Sequence, residues 1–155
     1  MRYPAVMIQE DGATIVEFPD CPGCSTQVEA GGSIELAARE ALEGWLEAHL
    51  VLGRVPPLPP QTPRRARVGW RRIMVPISAP LALRIQLRAA RHRAGLTQAA
   101  LARKVGVRQQ QIAVLESPDA NVTLSTLLRV AEALDQDVAV EFTPRPRARE
   151  HARRG

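Results

Sequence analysis

QAALARKVGVRQQQIAVLE, running from Gln98 to Glu116, carries the most specific pattern in the chain. Two helices that cross steeply need a small residue where their backbones meet, and Ala102 stands there. The turn between them needs a residue that tolerates left-handed angles, and Gly106 supplies it. Leu101, Val105, Val107, Ile112 and Leu115 fall where apolar groups would lock the crossing angle. The spacing predicts a helix-turn-helix. A generic small helical bundle could share this periodicity, but it would not require the polar face that follows. Arg108, Gln109, Gln110 and Gln111 open the second helix of the pair, and amides and guanidinium groups are the side chains that bond adenine and guanine edges.

Working outward, Leu83, Leu87, Ala90 and Ala94 share a face of a preceding helix that Gly95 stops. Thr97 caps the next helix, through Lys104, and a third runs from about Arg108 to Glu116. Thr123 caps a fourth, with Leu124, Leu127, Leu128, Ala131 and Leu134 on one face. Val138, Val140 and Phe142 alternate as a terminal strand without a neighbour in its own domain. An unpaired edge seeks another chain, so these residues predict a homodimer or a tetramer. The arginine-rich tail over 144–155 has the composition of a disordered segment.

With Leu96-Thr97-Gln98 before it and the Thr123 helix after it, this region resembles the Xre-type, lambda-repressor-like DNA-binding domain over roughly residues 81–135. The resemblance implies that the third helix enters the major groove of operator DNA. It further implies that Gln98 and Gln109 clamp phosphates and that Gln110 and Gln111 read base edges, with Arg103 and Lys104 adding phosphate contacts. Arg108 replaces the family's usual N-cap serine, and Asp135 replaces a common glycine after the fourth helix.

The first half differs in charge. Residues 1–60 hold nine acids and three bases, a net of −6, whereas residues 61–155 hold 18 bases and seven acids, a net of +11. Such a division points to two jobs or two partners, with nucleic acid for the basic half and either a basic protein or a simply solvated surface for the acidic one. Two apolar runs around Asp11-Gly12 predict a β-hairpin, and Ser25–Val28 a third strand. Ser33 caps a helix whose stripe is Ile34, Ala37, Ala38, Ala41, Leu42, Trp45 and Leu46, with Gly53 as its stop. A proline-rich connector over 55–66 leads into the basic run Arg64-Arg65-Ala66-Arg67. Ile73, Val75 and Ile77 predict a strand that returns to the first sheet and is closed by Pro80. The domains are therefore expected at 1–78, 79–143 and 144–155.

The hairpin ending in Phe18-Pro19-Asp20, the Pro22-Gly23-Cys24-Ser25-Thr26 element and the acidic helix ending near Trp45 resemble the HicB antitoxin family. That resemblance implies an α+β fold, a cut-down RNase H-like sheet-plus-helix domain, followed here by the all-α helix-turn-helix domain. It implies a cytoplasmic type II antitoxin that neutralises a HicA-type RNA-cleaving toxin and represses its own operon. Glu10, Asp11, Glu17 and Asp20 are the candidate toxin-binding acids. An alternative is a stand-alone regulator whose first domain senses a ligand or a thiol state. A third, a nuclease, lacks carboxylates spaced to converge on a metal. Cys21-Pro22-Gly23-Cys24 lacks partners for zinc and opens no helix that would activate a thiol, so both cysteines read as structural. His49, His92 and His151 lie in separate segments without nucleophiles. The expectation is a non-enzyme with no catalytic residue, metal or cofactor, and no apolar run is long enough to span a membrane.

Overall fold

Asp11 and Gly12 take φ of 49° and 83°, the two successive positive angles that a tight hairpin turn requires. The structure is a computed structural model that describes residues 1–62, 69–118 and 120–140. The turn joins β1 (Arg2–Glu10) to β2 (Ala13–Glu17), with Ile8 opposite Ile15. β3 (Ser25–Val28) pairs antiparallel with β2, and β4 (Arg71–Pro76) pairs antiparallel with β1, placing Tyr3 opposite Val75. The sheet order is β3-β2-β1-β4. The expected return of the later strand to the first sheet is therefore observed.

Alternation sends Tyr3, Ala5, Val16 and Val75 to one face of the sheet, where α1 (Ile34–Val51) lies. Ser33 caps α1 by accepting from the Leu36 N–H at 3.3 Å. The helix buries Ala38, Leu42, Leu46 and Leu50 against the sheet, each leucine worth about 1.5–3 kcal/mol in area removed from water. Trp45 stacks on His49 at 3.7 Å between ring centroids, and its indole N–H donates to the Pro22 carbonyl at 3.3 Å. The loop after β2 is thereby pinned to the helix. The connector is fastened too, because the Tyr3 hydroxyl donates to the Pro57 carbonyl at 3.0 Å.

The second half begins with α2 (Ala79–Arg93), followed by α3 (Gln98–Val105), α4 (Gln109–Leu115) and α5 (Leu124–Ala133). Pro80 does not close β4. It lies in the first turn of α2, where a missing N–H costs nothing. The apolar face of α2 is also broader than expected. Leu81, Ala82 and Ile85 complete the core under the sheet, while Leu87 enters a second core with Leu101, Ala102, Ile112, Leu115, Val130 and Leu134. The first core therefore continues past residue 78, and one helix serves both halves. Ala94 is exposed because the helix has ended before it.

On α5 the buried residues are Val130 and Ala131, followed by Leu134, whereas Leu124 and Leu128 are exposed. The expected stripe was thus rotated by part of a turn. Among the described residues, 136–140, with Val138 and Val140, pair in no strand. Phe142, the tail over 144–155 and the basic run Arg64-Arg65-Ala66-Arg67 lie outside the described residues. Asp135 takes φ 55°, which explains why a glycine suits that place.

Because Ile85 is fully buried in the first core on the helix that also enters the second, Ile85→Ala should destabilise the whole chain by about 2–5 kcal/mol. Tryptophan fluorescence, which reports the sheet half, and far-ultraviolet dichroism, which reports all helices, should give one coincident urea transition. Two separated transitions in the wild type would show that the halves fold independently.

Candidate nucleic-acid interface

The crossing of α3 and α4 is built as the spacing required. Thr97 caps α3 by accepting from the Ala100 N–H at 3.1 Å, and Gly106 ends it in the left-handed region with φ 73°. Ala102 is buried where the helices meet, and the Val107 N–H reaches back to its carbonyl at 2.9 Å. Leu101 and Ile112 are fully buried, with Val105 and Val107 packed at the margin.

That core leaves Arg108, Gln109, Gln110 and Gln111 exposed at the start of α4. Gln111 has a local task as well. Its Oε1 accepts from the Arg108 N–H at 3.0 Å, the reciprocal half of a capping box, whose other half is missing because the arginine side chain has no acceptor. Gln98 is half-buried, and one of its amide protons goes to Glu116 Oε2 at 3.1 Å. Lys104 folds back so that Nζ donates to the Ala133 carbonyl at 2.9 Å. Arg103 is exposed. Val114, 52% exposed, shares the outer face of α4 with Gln110, one turn on.

Glu116 had no role in the sequence reading, yet it organises the site. At the C-terminal end of α4 and only 3% exposed, it accepts two bonds from Arg91, at 2.6 Å and 2.9 Å, and one from Arg88 at 3.3 Å. With the Gln98 amide, this joins α2, α3 and α4 at one carboxylate. Burial by itself would raise the Glu116 pKa. The hydrogen bonds from Arg91 and Gln98, with the charges of Arg91 and Arg88, outweigh it and hold the carboxyl below its ordinary value.

The same arginine row reaches the sheet half. Arg84 forks onto Glu47 at 2.6 Å and 3.0 Å, and Arg88 donates to the Leu50 carbonyl at 2.7 Å. Glu43 accepts the Ser78 N–H at 2.6 Å, at the start of α2. Arg84, Arg88 and Arg91 stand at i, i+4 and i+7, and that helical spacing was the available signal for a shared partner.

The candidate acids are arranged differently. Glu10 and Asp11 are exposed at the hairpin tip, Glu17 is exposed at the far end of β2, and Asp20 is half-buried in the following loop. They mark one hairpin and its loop rather than a converged cluster. Cys21 and Cys24 are buried free thiols in the sheet core. Burial, with Cys24 and Asp20 adding, pushes Cys21 up to about 12, and burial pushes Cys24 up to about 11. Both are therefore protonated and poorly nucleophilic at neutral pH.

This geometry defines a class of protein. Residues 87–140 match the helix-turn-helix family model, and they form a helix-turn-helix DNA-binding domain placed after an antiparallel sheet in a mixed α+β chain. No curated protein sequence matches the chain. Among solved structures, one chain of a HicA3 and HicB3 toxin-antitoxin complex is 27% identical with a TM-score of 0.44, over 50% of this chain and 99% of that one. One chain of a HipA-HipB-O2-O3 complex is 29% identical with a TM-score of 0.39, over 44% of this chain and 97% of that one. No helix among the described residues is long and apolar enough to cross a membrane.

Glu116→Gln should destabilise the protein by about 3–5 kcal/mol at neutral pH, because it leaves buried guanidinium charge uncompensated. The sign of the pH dependence follows from the lowered pKa. The carboxylate's contribution is present above its unfolded value of about 4.3 and is lost as pH falls through the lower folded value. Urea unfolding of both proteins across this range should show their difference shrinking in acid, and a constant difference would contradict the assignment.

Proposed function

We propose that the chain is the antitoxin of a type II toxin-antitoxin pair, with its acidic half covering a HicA-type RNA-cleaving toxin and its helix-turn-helix half repressing the operon. The observation that carries this reading is the division of charge over two joined units. The helix-turn-helix is preceded by an acidic sheet-and-helix unit bearing the hairpin, Pro22-Gly23-Cys24 loop and long helix on which the HicB resemblance rests. A toxin that grips RNA presents a basic face, and an acidic surface is a suitable electrostatic cover for it. The sheet-plus-helix unit is read as the cut-down RNase H-like fold of that family, without enzymatic activity. The exposed acids Glu10, Asp11 and Glu17 supply the contact, with Asp20 beside them.

On the DNA side, Gln110 enters the major groove from the first turn of α4, Gln111 combines base reading with its capping bond, and Gln109 clamps the phosphate backbone. Arg108 and Arg103 reach phosphates, and Gln98 presents its remaining amide proton to the backbone. Lys104, held on the end of α5, contributes positive charge near the same strand. Val114 offers a thymine methyl an apolar contact. Val138 and Val140, with Phe142 beyond them, pair with a second copy to place two recognition helices about one DNA turn apart. The inert thiols give a thiol-sensing regulator no support.

The decisive experiment is co-expression with any small basic protein whose gene adjoins this one. The two proteins should co-purify, and the full chain should restore growth when that protein is toxic. Glu10→Arg combined with Glu17→Arg should weaken the complex by about tenfold, chiefly through slower association at low salt, while operator binding is retained. Full rescue and unchanged binding by this variant would move the toxin contact elsewhere.

Base and phosphate contacts should also separate. Gln110→Ala should cost about 1–3 kcal/mol on the operator and little on random DNA. Arg103→Ala should weaken both and reduce the salt slope by about one unit. Affinities measured at several salt concentrations decide this, and equal losses on both DNAs for Gln110→Ala would remove α4 from base reading.

A further inference from the structure

Arg88 binds two parts of the protein at once. Its Nη1 donates to the Leu50 carbonyl at 2.7 Å and to the Arg54 carbonyl at 3.4 Å, at and just past the C-terminal end of α1. Its Nε donates to Glu116 Oε2 at 3.3 Å, at the C-terminal end of α4. A guanidinium is a rigid planar fork, so groups bound at its two sides cannot move independently. One turn earlier, Arg84 repeats the arrangement, forking onto Glu47 of α1 and donating to the Glu116 carbonyl at 3.5 Å. The side chains of Arg84 and Arg88 are only 5% and 12% exposed, which leaves Arg88 little surface to offer a phosphate.

The lever arm is short enough for this to matter. Gln110 lies six residues before Glu116, about 9 Å along a helix, so a tilt of about 10° about Glu116 would move it by about 1.5 Å. Hydrogen bonds to base edges have a window of only about half an ångström. A small rotation at the clamped end is therefore enough to lose the base contact while the helix remains folded.

We infer that Arg88 is a positioning residue for DNA reading, holding the recognition helix in register with the end of α1 so that the sheet half sets how well α4 discriminates sequences. The inference rests on the reading of α4 as the base-reading helix. It also gives a route by which a partner bound on the sheet half would alter DNA affinity, because a coupling between two binding sites acts in both directions.

The test uses the full chain. Wild-type protein first selects its preferred duplex from a randomised DNA pool, and affinities for that duplex and a scrambled one are then measured at several salt concentrations. Arg88→Met should lower affinity for the selected duplex by about tenfold while leaving the scrambled duplex and the salt slope unchanged. Glu47→Gln, on α1 rather than on the helix-turn-helix itself, should show the same pattern at about threefold. This variant retains the core should Arg88→Met prove unstable. Amide hydrogen exchange in α4 should quicken in both variants. Arg88→Lys should resemble Arg88→Met, since one ammonium cannot span both ends. Full restoration by lysine would mean that charge alone suffices and would overturn the bridging role. So would equal losses on both duplexes, which mark a phosphate contact, or unchanged discrimination with unchanged α4 exchange. If the wild type enriches no sequence, the base-reading assignment fails and the inference falls with it.

Discussion

A single buried carboxylate, Glu116, sets the relation among α2, α3 and α4. Taking it out of water is unfavourable by several kcal/mol, and only close pairing with well-placed donors offsets that. Arg91 gives two bonds, Arg88 and Gln98 one each. Among the described residues no fully buried side-chain nitrogen or oxygen lacks a partner. An apolar contact tolerates sliding, whereas these bonds hold for one mutual arrangement of the three helices. The exposed first turn of α4 inherits its direction from that arrangement.

The carboxylate's influence extends beyond the helix-turn-helix because α2 belongs to both halves. Leu81, Ala82 and Ile85 lie under the sheet, and Leu87 lies with Leu101 and Ile112. Along the same helix Glu43, Glu47 and the Leu50 carbonyl of α1 meet Ser78, Arg84 and Arg88 in order. Apolar and polar contacts therefore fix the same relation between the halves. The formal charges divide by sequence, but these pairs join the acidic unit to the basic one. Glu43 and Glu47 are engaged internally, while Glu10, Asp11 and Glu17 remain exposed.

Much of the architecture was legible from local pattern. Asp11-Gly12 announced the hairpin because few residue pairs accept two positive φ angles. The stripe from Ile34 to Leu46 announced α1, and Thr97, Ala102 and Gly106 announced the steep helix pair because each meets a separate steric or capping demand. Less legible were the extra face of α2 and the rotated face of α5. Alanines and leucines crowd both helices, so several stripes fit, and the choice among them depends on what packs from outside. Residues 136–140 show the converse, since alternation alone does not make a strand and these residues meet no ladder partner among the described residues.

The sequence by itself determined most of the helices and strands and their caps, Val138 to Val140 excepted, and that Arg108 to Gln111 would stand at the exposed start of the second helix of the helix-turn-helix. These properties follow from steric preferences and apolar spacing within a few residues. Tertiary structure alone decided what Arg84, Arg88 and Arg91 do. Their spacing places them on adjoining parts of α2 in any environment, and on an isolated helix they would be solvated. They are instead drawn inward because Glu116, 25 residues from Arg91 and 32 from Arg84, is brought to the same place by the folding of α3 and α4. Whether a charge is hydrated or paired depends on the distance to its counter-charge through a low-dielectric interior, and that distance exists only once the chain has folded.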